Sequence, residues 1–148
     1  MKNKAIIISL IILITAVIGW WLASPLFINK VVDEQLPGTD ALDRDAELQG
    51  FFADADSFHK TSGIAKVIII NEKKFLSLEN FETTNGPDLY VYLARDKEAE
   101  DFINLGTLKG NKGNQNYEIP ENVDINSYSN VLIWCRAFSV LFGSAKLR

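Results

Sequence analysis

The residue types best suited to redox or ligand chemistry occur once each in this 148-residue chain: one Cys, Cys135, and one His, His59. A single Cys excludes an intramolecular disulfide and any multi-cysteine zinc or iron–sulfur centre. A blue-copper site needs two His with a Cys, so one chain cannot build it. The only Met is Met1, and no Cys-x-x-Cys-His sequence is present, which removes an internal methionine haem ligand and covalent c-type attachment. On a strand, Val131, Ile133 and Cys135 point one way and Leu132, Trp134 and Arg136 the other. Cys135 therefore falls on the apolar side. There it packs as a small hydrophobe with its thiol pushed towards inertness, unless His59 or Arg136 comes close enough to favour the thiolate. His59, between Phe58 and Lys60, has two readings: a turn histidine bonding nearby backbone, or an axial ligand or proton partner facing Cys135. Asp54 and Asp56 suggest oxygen ligands for calcium, but EF-hand spacing is absent and no metal site is assigned. Ser57 and Ser62 flank His59 without a nucleophile-elbow pattern, and the Walker, dinucleotide and HExxH motifs are missing.

These residues lie on short runs with the character of strands. Gly63–Ile70 is rich in β-branched residues, Asn71-Glu72 follows, and Lys73–Leu78 completes a hairpin. Asn85-Gly86-Pro87-Asp88 is a turn before the strand Leu89–Leu93. Arg95–Asp101 reads as a charged loop or one helical turn, and Ile103–Leu108 as a strand. Gly110–Asn114 reads as a turn, Gln115–Ile119 as a short strand, and Ser129–Cys135 and Phe138–Leu147 as closing strands. This pattern predicts an all-β fold, an antiparallel β-sandwich-like domain, over residues 47–148.

The length fits one domain, 47% hydrophobic content fits a globular core, and a net charge of −4 argues against nucleic acid as a partner. Ala5 to Asn29 carries no charge, and residues 5–23 are long enough for a transmembrane helix acting as an uncleaved anchor. Lys2 and Lys4 precede it and Asp33 and Glu34 follow. The positive-inside rule thus places residues 1–4 in the cytoplasm and the head outside, in a single-pass protein of the cell membrane. Trp20 and Trp21 suit the outer interface, and Trp21-Leu22-Ala23 lacks the small-residue pattern of a cleavage site. Residues 24–46 read as an acidic linker that holds the head off the lipid. Without Lys2, Lys4 and Lys30 the chain has 12 basic against 19 acidic residues, a net of −7.

Several stretches of the head resemble the DM13 domain, the electron transfer DM13 family. They include Gly50-Phe51-Phe52, Ser57–Gly63, Asn85–Leu93, Leu105–Gly110, Gly113–Pro120 and Val131–Gly143. The resemblance runs over residues 47–147. It implies a redox module in which the signature cysteine, matched here by Cys135, acts as a bare thiol or holds a prosthetic group such as haem, with His59 as the candidate second ligand. No companion redox domain lies in the chain, so a redox or surface protein would be the partner. The alternative is a noncatalytic recognition module with an inert Cys135 and a patch among Tyr90, Tyr92, Tyr117 and Trp134. A third reading is a scaffold held to a membrane partner through its helix.

Overall fold

Ile70 and Lys73 face each other across Asn71 and Glu72, both in left-handed backbone (φ 49° and 67°), the two-residue turn whose twist matches that of paired strands. The expected hairpin is therefore present. It belongs to a computed structural model of the chain that describes residues 2–24, 28–36 and 46–148. A helix α1 (Lys2–Ala23) comes first. Among the described residues nine strands follow: β1 (Val31–Asp33), β2 (Leu48–Asp54), β3 (Thr61–Ile70), β4 (Lys73–Thr83), β5 (Leu89–Ala94), β6 (Phe102–Thr107), β7 (Lys112–Ile119), β8 (Asn130–Cys135) and β9 (Val140–Lys146).

The strands form one curled sheet in the order β1-β7-β4-β3-β2-β9-β8-β5-β6, not the two separate layers of a sandwich. The joint is β2. Its first half pairs with β3 from Leu48 to Phe51, and its second half pairs with β9 from Phe52 to Asp54. A strand that changes partner in this way turns a corner. Bulges at Ser62–Ile64 on β3 and Leu78–Phe81 on β4 add curvature. Gly63 sits in the first with φ 117°, and a Cβ there would lie 2.8 Å from Phe81 Cα, so only glycine lets the two backbones approach. The curl brings β6 back against β7. It encloses one core of Phe52, Val67, Leu78, Phe81, Val91 and Ile133, with further inward side chains around them.

The sheet has two ends. At the rim end lie the β2–β3, β4–β5, β6–β7 and β8–β9 connections and the chain entering β1. The β3–β4, β5–β6 and β7–β8 loops lie at the other end.

Two sequence expectations change. Residues 24–46 are not wholly a free tether: Val31–Asp33 pairs in parallel with Lys112–Asn114, and Asn111 Oδ1 accepts from Lys30 N at 2.7 Å. The acidic part of the linker around Pro37–Asp45 lies outside the described residues. The turn at Gly110–Asn114 is shorter, because Lys112 to Asn114 already pair. Of the two forms expected for Arg95–Asp101, the loop is the one present.

On α1 the side chains from Ile6 to Trp21 that are large and apolar stand exposed on all faces. Among the described residues no helix is long and apolar enough to cross a membrane. The uncharged stretch of sequence, Ala5 to Asn29, extends beyond the described side chains.

Candidate functional site

Cys135 is the last residue of β8, opposite Leu89 on one side and Val140 on the other. It is 0% exposed and belongs to the inner core with Val131 and Ile133, as alternation along the strand requires. Leu132 and Trp134 face the outer side with Tyr90, Tyr92 and Leu141. The chain then turns at once. Arg136 N donates to Asp88 O at 3.0 Å, its Nε reaches Asp88 Oδ2 at 3.0 Å, and its guanidinium lies 4.5 Å from the centre of the Tyr90 ring. Arg136 is thus committed to the β4–β5 loop and offers its charge there, not to the thiol. The core cluster around Cys135 is apolar.

His59 ends a short loop after β2 at the same rim end. Asp56 organises that loop. Its Oδ1 accepts from Phe58 N at 2.7 Å and His59 N at 2.8 Å, and its Oδ2 lies 2.7 Å from His59 Nδ1. Hydrogen bonds from the His59 side chain, then from the His59 and Phe58 backbones, hold the Asp56 pKa down at about 2. Ionised at neutral pH, Asp56 can only accept, so His59 Nδ1 carries the proton of this contact. The ring is 27% exposed and packs against Phe142 at 4.2 Å between centroids.

The structure therefore places the two residues at one end of the sheet without bringing them together. Among the described residues, no hydrogen bond joins Cys135 to His59, and Phe142 from the core cluster of Cys135 stands against the imidazole. Two open clefts mark the rim. One, of about 510 Å³, runs past Gly86, Leu89, Leu108 and Lys109, and the other, of about 420 Å³, runs past Asp54, Lys60 and Thr83. Neither is lined by Cys135 or His59. A haem gripped by this pair needs a slot that reaches a sulfur and a ring nitrogen, and a fully buried sulfur beside two clefts that bypass it does not fit that group.

The other candidates resolve locally. Asp54 accepts from Thr61 N at 2.8 Å and pairs with Lys60 at 3.0 Å, so neither Asp54 nor Asp56 is an idle oxygen ligand. Among the described residues no group of three or more acidic, His or Cys side chains could hold a metal. The four aromatics do not form one patch: Tyr117 is in the inner core, whereas Tyr90, Tyr92 and Trp134 share the outer face.

Sequence reading missed a buried polar pin at the rim. Gln115, 0% exposed on β7, accepts from Gly110 N at 3.2 Å and Tyr117 Oη at 2.8 Å and donates to Gly110 O at 2.9 Å. A glutamine opening a short strand after an Asn- and Gly-rich turn carries no sign of burial, and the curl that brings β6 against β7 buries it.

The loop carries a testable pH dependence. Because the folded pKa of Asp56 is lowered from 3.8 to about 2, its stabilising effect is full above pH 4 and is lost as pH falls towards 2. Asp56→Asn should flatten the stability profile over that window. Urea midpoints measured from pH 5 to pH 2 check this, and an unchanged slope would show that the carboxylate does not hold the loop.

No curated protein and no solved structure matches the chain. A family model described as Electron transfer DM13 matches residues 51–147, from β2 through β9. That stretch spans both candidate residues and all but the first strand of the sheet, and the chain belongs to the electron transfer DM13 family.

Proposed function

We propose that this chain is a redox module of the DM13 family, anchored in the cell membrane by its N-terminal helix with the head outside the cytoplasm and Cys135 as its centre. Membership of an electron-transfer family carries the reading. The anchor is supported by an uncharged stretch preceded by Lys2 and Lys4 and by a helix whose apolar side chains leave no polar face. The choice of Cys135 rests on its being the one thiol and on its place at a strand end, where local opening of the β8–β9 turn bares it without dismantling the sheet. A lone thiol has a simple balanced chemistry. Its thiolate attacks an external disulfide, forms a mixed disulfide and releases the other sulfur as a thiolate. Haem is not part of this proposal, because the geometry of Cys135 and His59 does not fit it.

The full burial of Cys135 favours a second reading, an inert thiol in a noncatalytic surface module. Labelling rates with a small disulfide reagent separate the two. Under the redox reading the folded chain labels slowly but measurably. Arg136→Ala, which frees the turn from Asp88 and Tyr90, then speeds labelling about 3- to 10-fold, the worth of one exposed ion pair plus a cation–π contact. Labelling only on global unfolding, at the same rate in both chains, would favour the inert thiol.

A further inference from the structure

We infer that the rim end of the head is a lipid-contact surface, with Phe58 and Phe138 as the side chains that enter the bilayer interface. The inference rests on the anchor reading above and adds which face of the head meets the membrane.

Connectivity fixes the near end. The chain from Ala23 to Val31 reaches at most about 28 Å when fully extended, and a hydrogen bond from Ile28 N to Ser24 O at 3.1 Å shortens that reach. Ser24 and Ile28 line the same cleft as Gly86 and Leu89 at the rim. Lys30 and Val32 are then stitched to the β6–β7 loop so closely that a Cβ on Gly110 would lie 2.5 Å from Lys30 O. The head thus follows the helix within a short length of chain, with Ser24, Ile28 and Lys30 against the rim cleft. The far loops lie a further strand length away, roughly 20 Å or more at ~3.3 Å per residue.

The two ends differ in chemistry. The rim segments 28–30, 55–60, 84–88, 108–111 and 136–139 hold Lys30, Lys60, Lys109 and Arg136 against Asp56 and Asp88. The far loops 71–72, 95–101 and 120–129 hold seven acidic residues against two basic. The acidic excess of the head is therefore turned away from the helix, and the end beside it, where Lys60 pairs with Asp54, Lys109 with Glu34 and Arg136 with Asp88, is close to neutral and is not repelled by an anionic leaflet as the far end is.

Phe58 and Phe138 stand on that end at 82% and 71% exposure. A single exposed apolar residue means little. These two occupy the tips of separate loops at one end, and each loop is braced. Asp56 accepts from Phe58 N, and the turn that bears Phe138 is tied down by Arg136 on Asp88 and Tyr90. Rigid loops that hold aromatic rings out of the core, beside a helix terminus and on the end of the head without the acidic excess, match a lipid interface. One consequence concerns Cys135. It lies at the same rim, so a partner that reaches it through the β8–β9 turn comes from the membrane surface.

The test is carried out on the full chain reconstituted in phosphatidylcholine vesicles. Spin labels are placed one at a time at Phe58→Cys, Phe138→Cys, Glu98→Cys and Ile11→Cys in a Cys135→Ala background. Accessibility to oxygen is compared with that to a water-soluble nickel chelate. The two rim labels should show an oxygen-to-nickel ratio severalfold above that of the Glu98 label. Rim labels as aqueous as Glu98, with the Ile11 label deep in lipid, would leave the anchor standing and overturn the lipid-contact surface. An aqueous Ile11 label would overturn both. Hydrogen exchange on the unmodified chain guards against a misfolded variant: residues 55–60 and 136–139 should exchange more slowly in vesicles than in detergent, and equal rates count against the surface.

Discussion

Phe81→Ala should lower the free energy of unfolding by about 3–5 kcal/mol, the usual cost of emptying a buried aromatic site. Phe81 is fully buried and meets Phe52 edge-on, with ring centroids 5.3 Å apart. It follows the bulge that bends β4, and Phe52 sits on β2 where that strand passes from β3 to β9. The pair therefore fills the inside of the corner that curls the sheet. The bulge holds the backbone in place, so the cavity cannot easily collapse, which puts the expected cost towards the upper part of that range. Urea unfolding of the two chains checks it. A loss under about 1 kcal/mol would mean that the corner closes without the ring.

Gln115→Leu should cost about 2–6 kcal/mol although it conserves volume and adds apolar surface. The sum comes from two buried polar groups left unpaired at about 1–3 kcal/mol each. Gly110 loses the partner of both its N–H and its C=O. Lys109 N–H keeps Tyr117 Oη at 3.1 Å, and that hydroxyl has Thr107 O as a weak second acceptor at 3.4 Å. The damage should therefore centre on the β6–β7 turn, where Gly110 also receives the chain entering β1. Faster amide exchange at Gly110 and Lys112 with little change at Val91 would give that pattern. A neutral or stabilising Gln115→Leu would show that water reaches the turn.

The sequence was most legible where pattern and turn chemistry agreed. The β3–β4 hairpin follows from β-branched runs around Asn71-Glu72, and the facing of Cys135 follows from alternation along β8. β2 was not legible as a strand, because its inward position Gly50 carries no side chain and its outward Phe51 is exposed. A Cβ on Gly50 would lie 2.4 Å from Lys146 O, so close strand approach has replaced the hydrophobic signal. β1 is equally hidden: three residues in an acidic segment pair only because Gly110 and Gly113 leave room for them, and a Cβ on Gly113 would lie 1.9 Å from Val32 O. The curl was beyond reach because it depends on bulges and on β2 changing partners, neither of which alters the periodicity of hydrophobic residues. For the site, the residue types named Cys135 and His59. The packing of Phe142 against His59, and the commitment of Arg136 to Asp88, depend on long-range register.

The most direct test of Cys135 as a redox centre is an equilibrium titration of the full chain in vesicles against mixtures of reduced and oxidised glutathione, read by intact mass. The account predicts one glutathione adduct on Cys135 that forms and reverses with the ratio and is absent in Cys135→Ser. Its approach to equilibrium should be about 10³-fold or more slower than that of an exposed thiol, since the β8–β9 turn must open first. No adduct at any ratio on the folded chain, with modification only after unfolding, would contradict it and leave Cys135 as a core residue.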